Sequence, residues 1–124
     1  MTTHDTVCLL RGERLPPGPN ALLRMHWAKR RKFQEDIKLD LVRCNYILPP
    51  FEGPVEIVYT RKYCRVPMDW DNAAGSFKLL GDALVELGVI TDDNPDVVTR
   101  FEPRQEKVDR EKEAGYTVEI RAVG

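Results

Sequence analysis

Asp69, Trp70, Asp71 and Asn72, together with Asp92 and Asp93, are the residues of this chain best suited to chemistry. Asp69 and Asp71 follow an apolar, strand-like run, and on an extended chain residues two apart project from the same face. Two carboxylates held that close repel each other, and one resists ionisation unless a cation lies between them. A hard divalent ion with oxygen ligands relieves the repulsion. A helical pattern separates this pair from Asp92 and Asp93, and a helix of that length can return the chain to the place it left. The spacing therefore predicts acids that converge on a shared cation. Taken alone, an acidic pair after a strand is more often a solvated turn. Trp70 reads as a core residue beside the site rather than a contact to an unstacked base.

The elements that must position these acids follow from periodicity. Residues 6–11 read as a first strand. Pro16, Pro17, Gly18 and Pro19 force an irregular loop, and Asn20 is placed to cap the next element. From 21 to about 46 the pattern is helical, with Leu22, Met25, Phe33, Ile37, Leu41 and Cys44 on one side, Trp27 at its edge, and Pro49-Pro50 as its stop. Residues 55 to about 64 alternate as a half-buried strand, with Val55, Ile57 and Tyr59 on one face. A second helix runs from 73 to 87 on a stripe of Phe77, Leu80, Leu84 and Leu87, with Lys78 and Asp82 four apart on its flank and Gly88 as its C-terminal stop. Residues 91–95 form a turn by composition. Residues 97–108 and 115–123 are strands, joined by 109–114 as a hairpin loop. The order is β-α-β-α-β-β: a single α+β (α/β) domain with a mixed or antiparallel sheet, a meander in its simplest packing, and both helices on it.

At 124 residues the chain fits one domain. No run of about 18 apolar residues is present, so no membrane span is expected, and the N-terminal residues show no secretory pattern. Cys8, Cys44 and Cys64 are odd in number and form no Cys-x-x-Cys pair, which argues for reduced thiols in a cytoplasmic protein rather than zinc or disulfides. The net charge of -1 hides a division. Residues 24–65 carry a net +5, through Arg24, Lys29, Arg30, Arg31, Lys32, Lys38, Arg43, Arg61, Lys62 and Arg65 against five acids. Residues 66–98 carry a net -6, with Lys78 as the lone base. A metal-dependent enzyme acting on a polyanion needs cations for phosphates and carboxylates for the ion. On charge alone, two solvated surfaces are the preferred explanation.

Known cation and phosphate motifs do not account for the acids. An EF-hand loop begun at Asp69 would place Ala73, Ala74 and Leu80 at its fifth, sixth and twelfth positions, and one begun at Asp92 would place Val97 where glycine is required. No Gly-rich phosphate loop is present, and His4 and His26 match no zinc pattern.

The ordered combination is more specific than its parts. Asp69-x-Asp71-Asn72, then Phe77-Lys78, Asp82-Ala83-Leu84 and Gly88-Val89-Ile90-x-Asp92-Asp93, resembles the RusA family of Holliday junction resolvases. Leu15-Pro16-Pro17-x-Pro19-Asn20 with Arg24-x-His26-Trp27 is similar to that family's N-terminal signature, so the resemblance spans residues 14–98. The chain departs from the pattern in the longer stretch Ala73–Phe77 before the lysine, and in Met68 where the best-studied member has an arginine.

The resemblance implies a small α/β homodimer that resolves four-way DNA by paired, Mg2+-dependent nicks during recombination and repair, with Mn2+ as a substitute ion. It places metal ligands at Asp69, Asp71 and the Asp92-Asp93 pair, where Asp93 matches best, and the essential lysine at Lys78. Arg24, Lys29, Arg30, Arg31, Lys32, Arg61, Lys62, Arg65 and Asn72 are the expected DNA contacts. The expected setting is the nucleoid-bearing cytoplasm of a bacterium or its phage. Two other readings stand beside it: a branched-DNA-binding module without catalysis, and an interaction domain with a structural divalent ion.

Overall fold

The computed structural model describes residues 7–12, 15–44 and 51–123, without the side chains of 7–10, 19, 20, 22, 41 and 44. The expectations placed on His4, Pro49-Pro50 and the side chains of Cys8, Asn20, Leu22, Leu41 and Cys44 lie outside the described residues. The elements run β1 (Val7–Gly12), α1 (Pro19–Arg24), α2 (Trp27–Cys44), β2 (Val55–Tyr63), α3 (Trp70–Gly75), α4 (Lys78–Glu86), β3 (Val98–Lys107) and β4 (Gly115–Ala122).

Each predicted helix is two. The first breaks at Met25 and His26, where the imidazole Nδ1 of His26 accepts from the Ala28 backbone N–H at 3.2 Å and so caps α2. Pro19 takes the first position of α1, where its missing N–H costs nothing, and the backbone of Asn20 follows it inside the helix. The second breaks at Ser76 and Phe77, between α3 and α4. Gly88 ends the pair at φ 76, a left-handed conformation that glycine adopts without strain, as its position in the sequence predicts.

The sheet order is β1-β4-β2-β3. β4 pairs antiparallel with both β1 and β2, while β2 and β3 run parallel. This corrects the meander and its hairpin. Parallel neighbours need a crossover of a dozen residues or more, and α3 with α4 provides it. The 109–114 segment then strides over the end of β2, folded into a short 3-10 turn at Glu111–Glu113, and delivers β4 to the slot between β1 and β2. β3 is an edge strand, which is where Pro103 can sit without removing a ladder bond.

One face of the sheet carries the core. Val55, Ile57 and Tyr59 of β2 and Tyr116, Val118 and Ile120 of β4 are buried against Ile37 of α2 and Leu79, Leu80, Ala83 and Leu84 of α4. α2 and α4 are further tied by Lys38, whose ammonium reaches Glu86 at 2.7 Å and Glu35 at 3.2 Å. The other face presents Glu56, Arg100, Glu102, Arg104, Glu119 and Arg121 to solvent, with Arg104 and Arg100 both directed at Glu102. No helix among the described residues is long and apolar enough to cross a membrane.

Candidate metal and nucleic-acid site

Asp69 does not extend side by side with Asp71. It is the N-cap of α3, at φ -66 and ψ 163, and its carboxylate accepts from the Asn72 backbone N–H at 2.9 Å and from the Asn72 amide at 3.3 Å. Asp71 already lies in the first helical turn. Residues two apart on a helix do not face each other, so helix onset at Trp70 removes the extended geometry from which the juxtaposition was expected. The cap explains that onset: an aspartate there satisfies a backbone donor the helix would otherwise leave orphaned. Asn72, expected at the DNA, is held by Asp69. Trp70 is 58% exposed at the first helical position, which corrects its placement in the core.

The proline loop meets these residues. A Cβ on Gly18 would lie 3.2 Å from the Met68 methyl and 3.9 Å from Cβ of Asn72. Gln105 of β3 clamps Met68 on both sides, its amide accepting from Met68 N–H at 2.9 Å and donating to Met68 O at 2.7 Å. The two halves of the sequence signature therefore pack against one another at the start of α3.

The crossover does return Asp93 to the helix that carries the lysine. Ala74, Gly75, Phe77, Lys78, Gly81, Asp93, Pro95, Val98 and Phe101 line an open groove of about 390 Å3. A Cβ on Gly81 would lie 3.6 Å from the Asp93 carboxylate, which puts that acid over the first turn of α4, beside Lys78. Asp71 stands three and four residues before Ala74 and Gly75, on the helical face that leads to the same groove. Asp92 turns away. It accepts from Asp93 N–H at 2.7 Å and the Asn94 amide at 3.0 Å, within its own turn. Lys78 is half exposed, and its ammonium rests on Asp82 at 3.1 Å.

No family model and no curated protein matches the chain.

No group of three or more His, Cys, Asp or Glu side chains able to hold a metal ion forms among the described residues. Asp93 lines the groove, while Asp71 lies in the first turn of α3 and Asp69 caps that helix.

The expected DNA contacts divide. Arg24, Lys29, Arg31 and Lys32 are exposed along α1 and α2, with Lys32 paired to Asp36 at 3.6 Å, and Arg30 and Lys62 are half-buried. Arg65 is exposed and reaches Glu111 at 3.8 Å. Arg61 is 7% exposed, on the core face of β2 in register with Tyr116 and Gln105. That corrects its reading as a backbone-tracking cation: the period-two alternation that buries Tyr59 buries Arg61 too. Its Nε has no hydrogen-bond partner among the described residues. Burial lowers its pKa, opposed by the charge interaction with Tyr59.

Sequence reasoning missed Ser76 and the aromatic cluster. Ser76 is fully buried at the α3–α4 break, where its hydroxyl donates to Ala73 O at 2.7 Å and takes the Tyr59 hydroxyl at 2.7 Å. The Phe77 ring packs against Tyr59 at 5.2 Å and Phe101 at 4.9 Å between centroids. A serine inside a helical pattern was the available signal, since serine competes with helix by bonding locally.

Proposed function

We propose that this chain is a divalent-metal-dependent endonuclease for branched DNA, acting as a homodimer on four-way junctions. The observation that carries the reading is that Lys78 and Asp93 line one groove, with Asp71 one helical turn from its wall. The sequence signature of the RusA-like resolvases supports it. Lys78 is the cation for the charge that develops on the scissile phosphate, held in place by Asp82. Asp71 and Asp93 are the acids to hold Mg2+, with Asp69 behind them; its carboxylate keeps acceptor capacity beyond the two bonds from Asn72. Mg2+ is usually held by one or two carboxylates plus substrate phosphates rather than by an all-protein cage, so acids that border a groove without closing around a point suit it. When bound, the ion would activate water and neutralise phosphate charge. The exposed bases of α1 and α2 supply sequence-blind, salt-sensitive attraction to the DNA backbone. A two-fold dimer would set two such sites against the approximate two-fold symmetry of a junction.

The test is cleavage of a synthetic four-way junction with Mg2+. Asp71→Asn should stop nicking while junction binding persists, and Lys78→Ala should cost about 10²–10³ in kcat. Equal nicking by wild type and Asp71→Asn removes the metal role of that acid. Binding without product in Mg2+ or Mn2+ would leave a junction-binding module.

A further inference from the structure

We propose that the groove beside α4 is a subsite for one unstacked nucleobase of the DNA, seated on Phe77 and Phe101 with its phosphate toward Lys78. The subsite rests on the nuclease reading and specifies the ligand of that same groove.

The three-ring cluster is graded in depth. Tyr59 is fully buried, while Phe77 and Phe101 are half-buried, and both line the groove. The remaining lining keeps room above them. Ala74, Gly75 and Gly81 are small, and a Cβ on Gly81 would stand 3.2 Å from the Phe77 ring. Pro95 and Val98 add apolar wall, and the charged lining groups are Lys78 and Asp93. The volume of about 390 Å3 lies in the range of small-ligand sites, and the mixture of aromatic lining and few polar groups is typical of them.

A ligand suited to this groove has a flat, apolar-faced body and an anionic end. A nucleotide has both. Its base would stack on the rings, an interaction tolerant of sequence because every base has a π-face. Its phosphate would fall at Lys78, the group assigned above to the scissile phosphate, with Asp93, assigned to the ion, in the same lining. Branched DNA offers such a base cheaply, since unstacking costs least where a base is already unpaired.

The probe is deoxyguanosine monophosphate, titrated into the whole protein and followed by NMR of the aromatic side chains, with 2-deoxyribose 5-phosphate as the baseless control. The expected result is saturable shifts of the Phe77 and Phe101 ring protons with the nucleotide and not with the sugar phosphate. Ala74→Leu narrows the groove and Gly81→Ala adds a methyl to it; each should weaken the nucleotide by roughly tenfold. Ring shifts that appear equally with the sugar phosphate, rings that do not move, or full affinity in both folded variants would overturn the subsite. A protein that takes the nucleotide but leaves junctions uncut keeps the subsite and loses the nuclease. One that cuts junctions while the rings stay silent keeps the nuclease and loses the subsite.

Discussion

Replacing Ser76 by alanine should cost more than replacing Tyr59 by phenylalanine, although both break one hydrogen bond between the same two side chains. The Ser76 hydroxyl has one proton, and it goes to Ala73 O at 2.7 Å; the proton in the 2.7 Å contact between Ser76 and Tyr59 therefore belongs to the tyrosine. In Tyr59→Phe the serine keeps its carbonyl partner and loses one acceptor contact, a cost of about 1 kcal/mol for a neutral hydrogen bond. In Ser76→Ala the Tyr59 hydroxyl is stranded in a position with no solvent exposure, about 1–3 kcal/mol, and the bond to Ala73 O is lost as well, about 1 kcal/mol more. The double variant removes the stranded group and should cost less than Ser76→Ala alone. Urea unfolding followed by circular dichroism reads all three, provided the slopes stay equal. Equal losses in the two single variants, or a double variant whose loss is their sum, would refute the assignment of the proton and the buried state of the phenol.

The same phenol sets an alkaline limit. Burial pushes Tyr59 from 10.0 up to about 12, against the Ser76 hydrogen bond and the Arg61 charge, which pull it down. The folded state therefore holds a proton that the unfolded state releases, and stability present below pH 10 should fall by about 3 kcal/mol as pH rises to about 12. Thermal melts of wild type and Tyr59→Phe across this range should converge and then cross, because the loss of about 3 kcal/mol exceeds the phenol's advantage of about 1 kcal/mol; parallel curves would contradict it. Arg61→Met removes a guanidinium whose Nε is buried without a partner, and should raise stability by about 1–2 kcal/mol in calorimetry; a loss would mean the arginine is bonded in solution. Asp69→Ala should lose about 1 kcal/mol with its cap, whereas Asp69→Asn should stay within a few tenths, because asparagine caps as well. Any divalent-dependent loss of nicking in Asp69→Asn at unchanged stability would then report the charge and not the cap.

The strands were legible because a half-buried strand writes its alternation into the sequence, and Val55, Ile57 and Tyr59 face the core as that alternation requires. Gly88 was legible because a helix stop calls for a residue that tolerates positive φ. Pairing partners were not. Whether β3 joins β2 or β4 depends on what the crossover delivers, and local composition around 109–114 cannot distinguish a hairpin from a stride over a neighbouring strand. At the site, residue types directed attention to the turns that flank α3 and α4, and the expected side-chain positions gave way where local hydrogen bonding took over. Asp69 is committed to capping α3 and Asp92 to its own turn, while the Asp93 carboxylate faces the groove. Arg61 shows the converse: strand geometry held a charge inward against the preference of its side chain.

The strand made last among the described residues, β4, is not a flank of the sheet but the piece between β1 and β2. Until residues 115–122 arrive, β1 has no neighbour to join and β2 has one bare side. A nascent chain would therefore emerge with β1 and β2 waiting on β4, and contacts that span so much of the described chain are slow to close. Shortening the protein by that strand would dismantle the sheet from its centre rather than trim its rim, and a ribosome-stalled fragment lacking it should stay open to protease along most of its length.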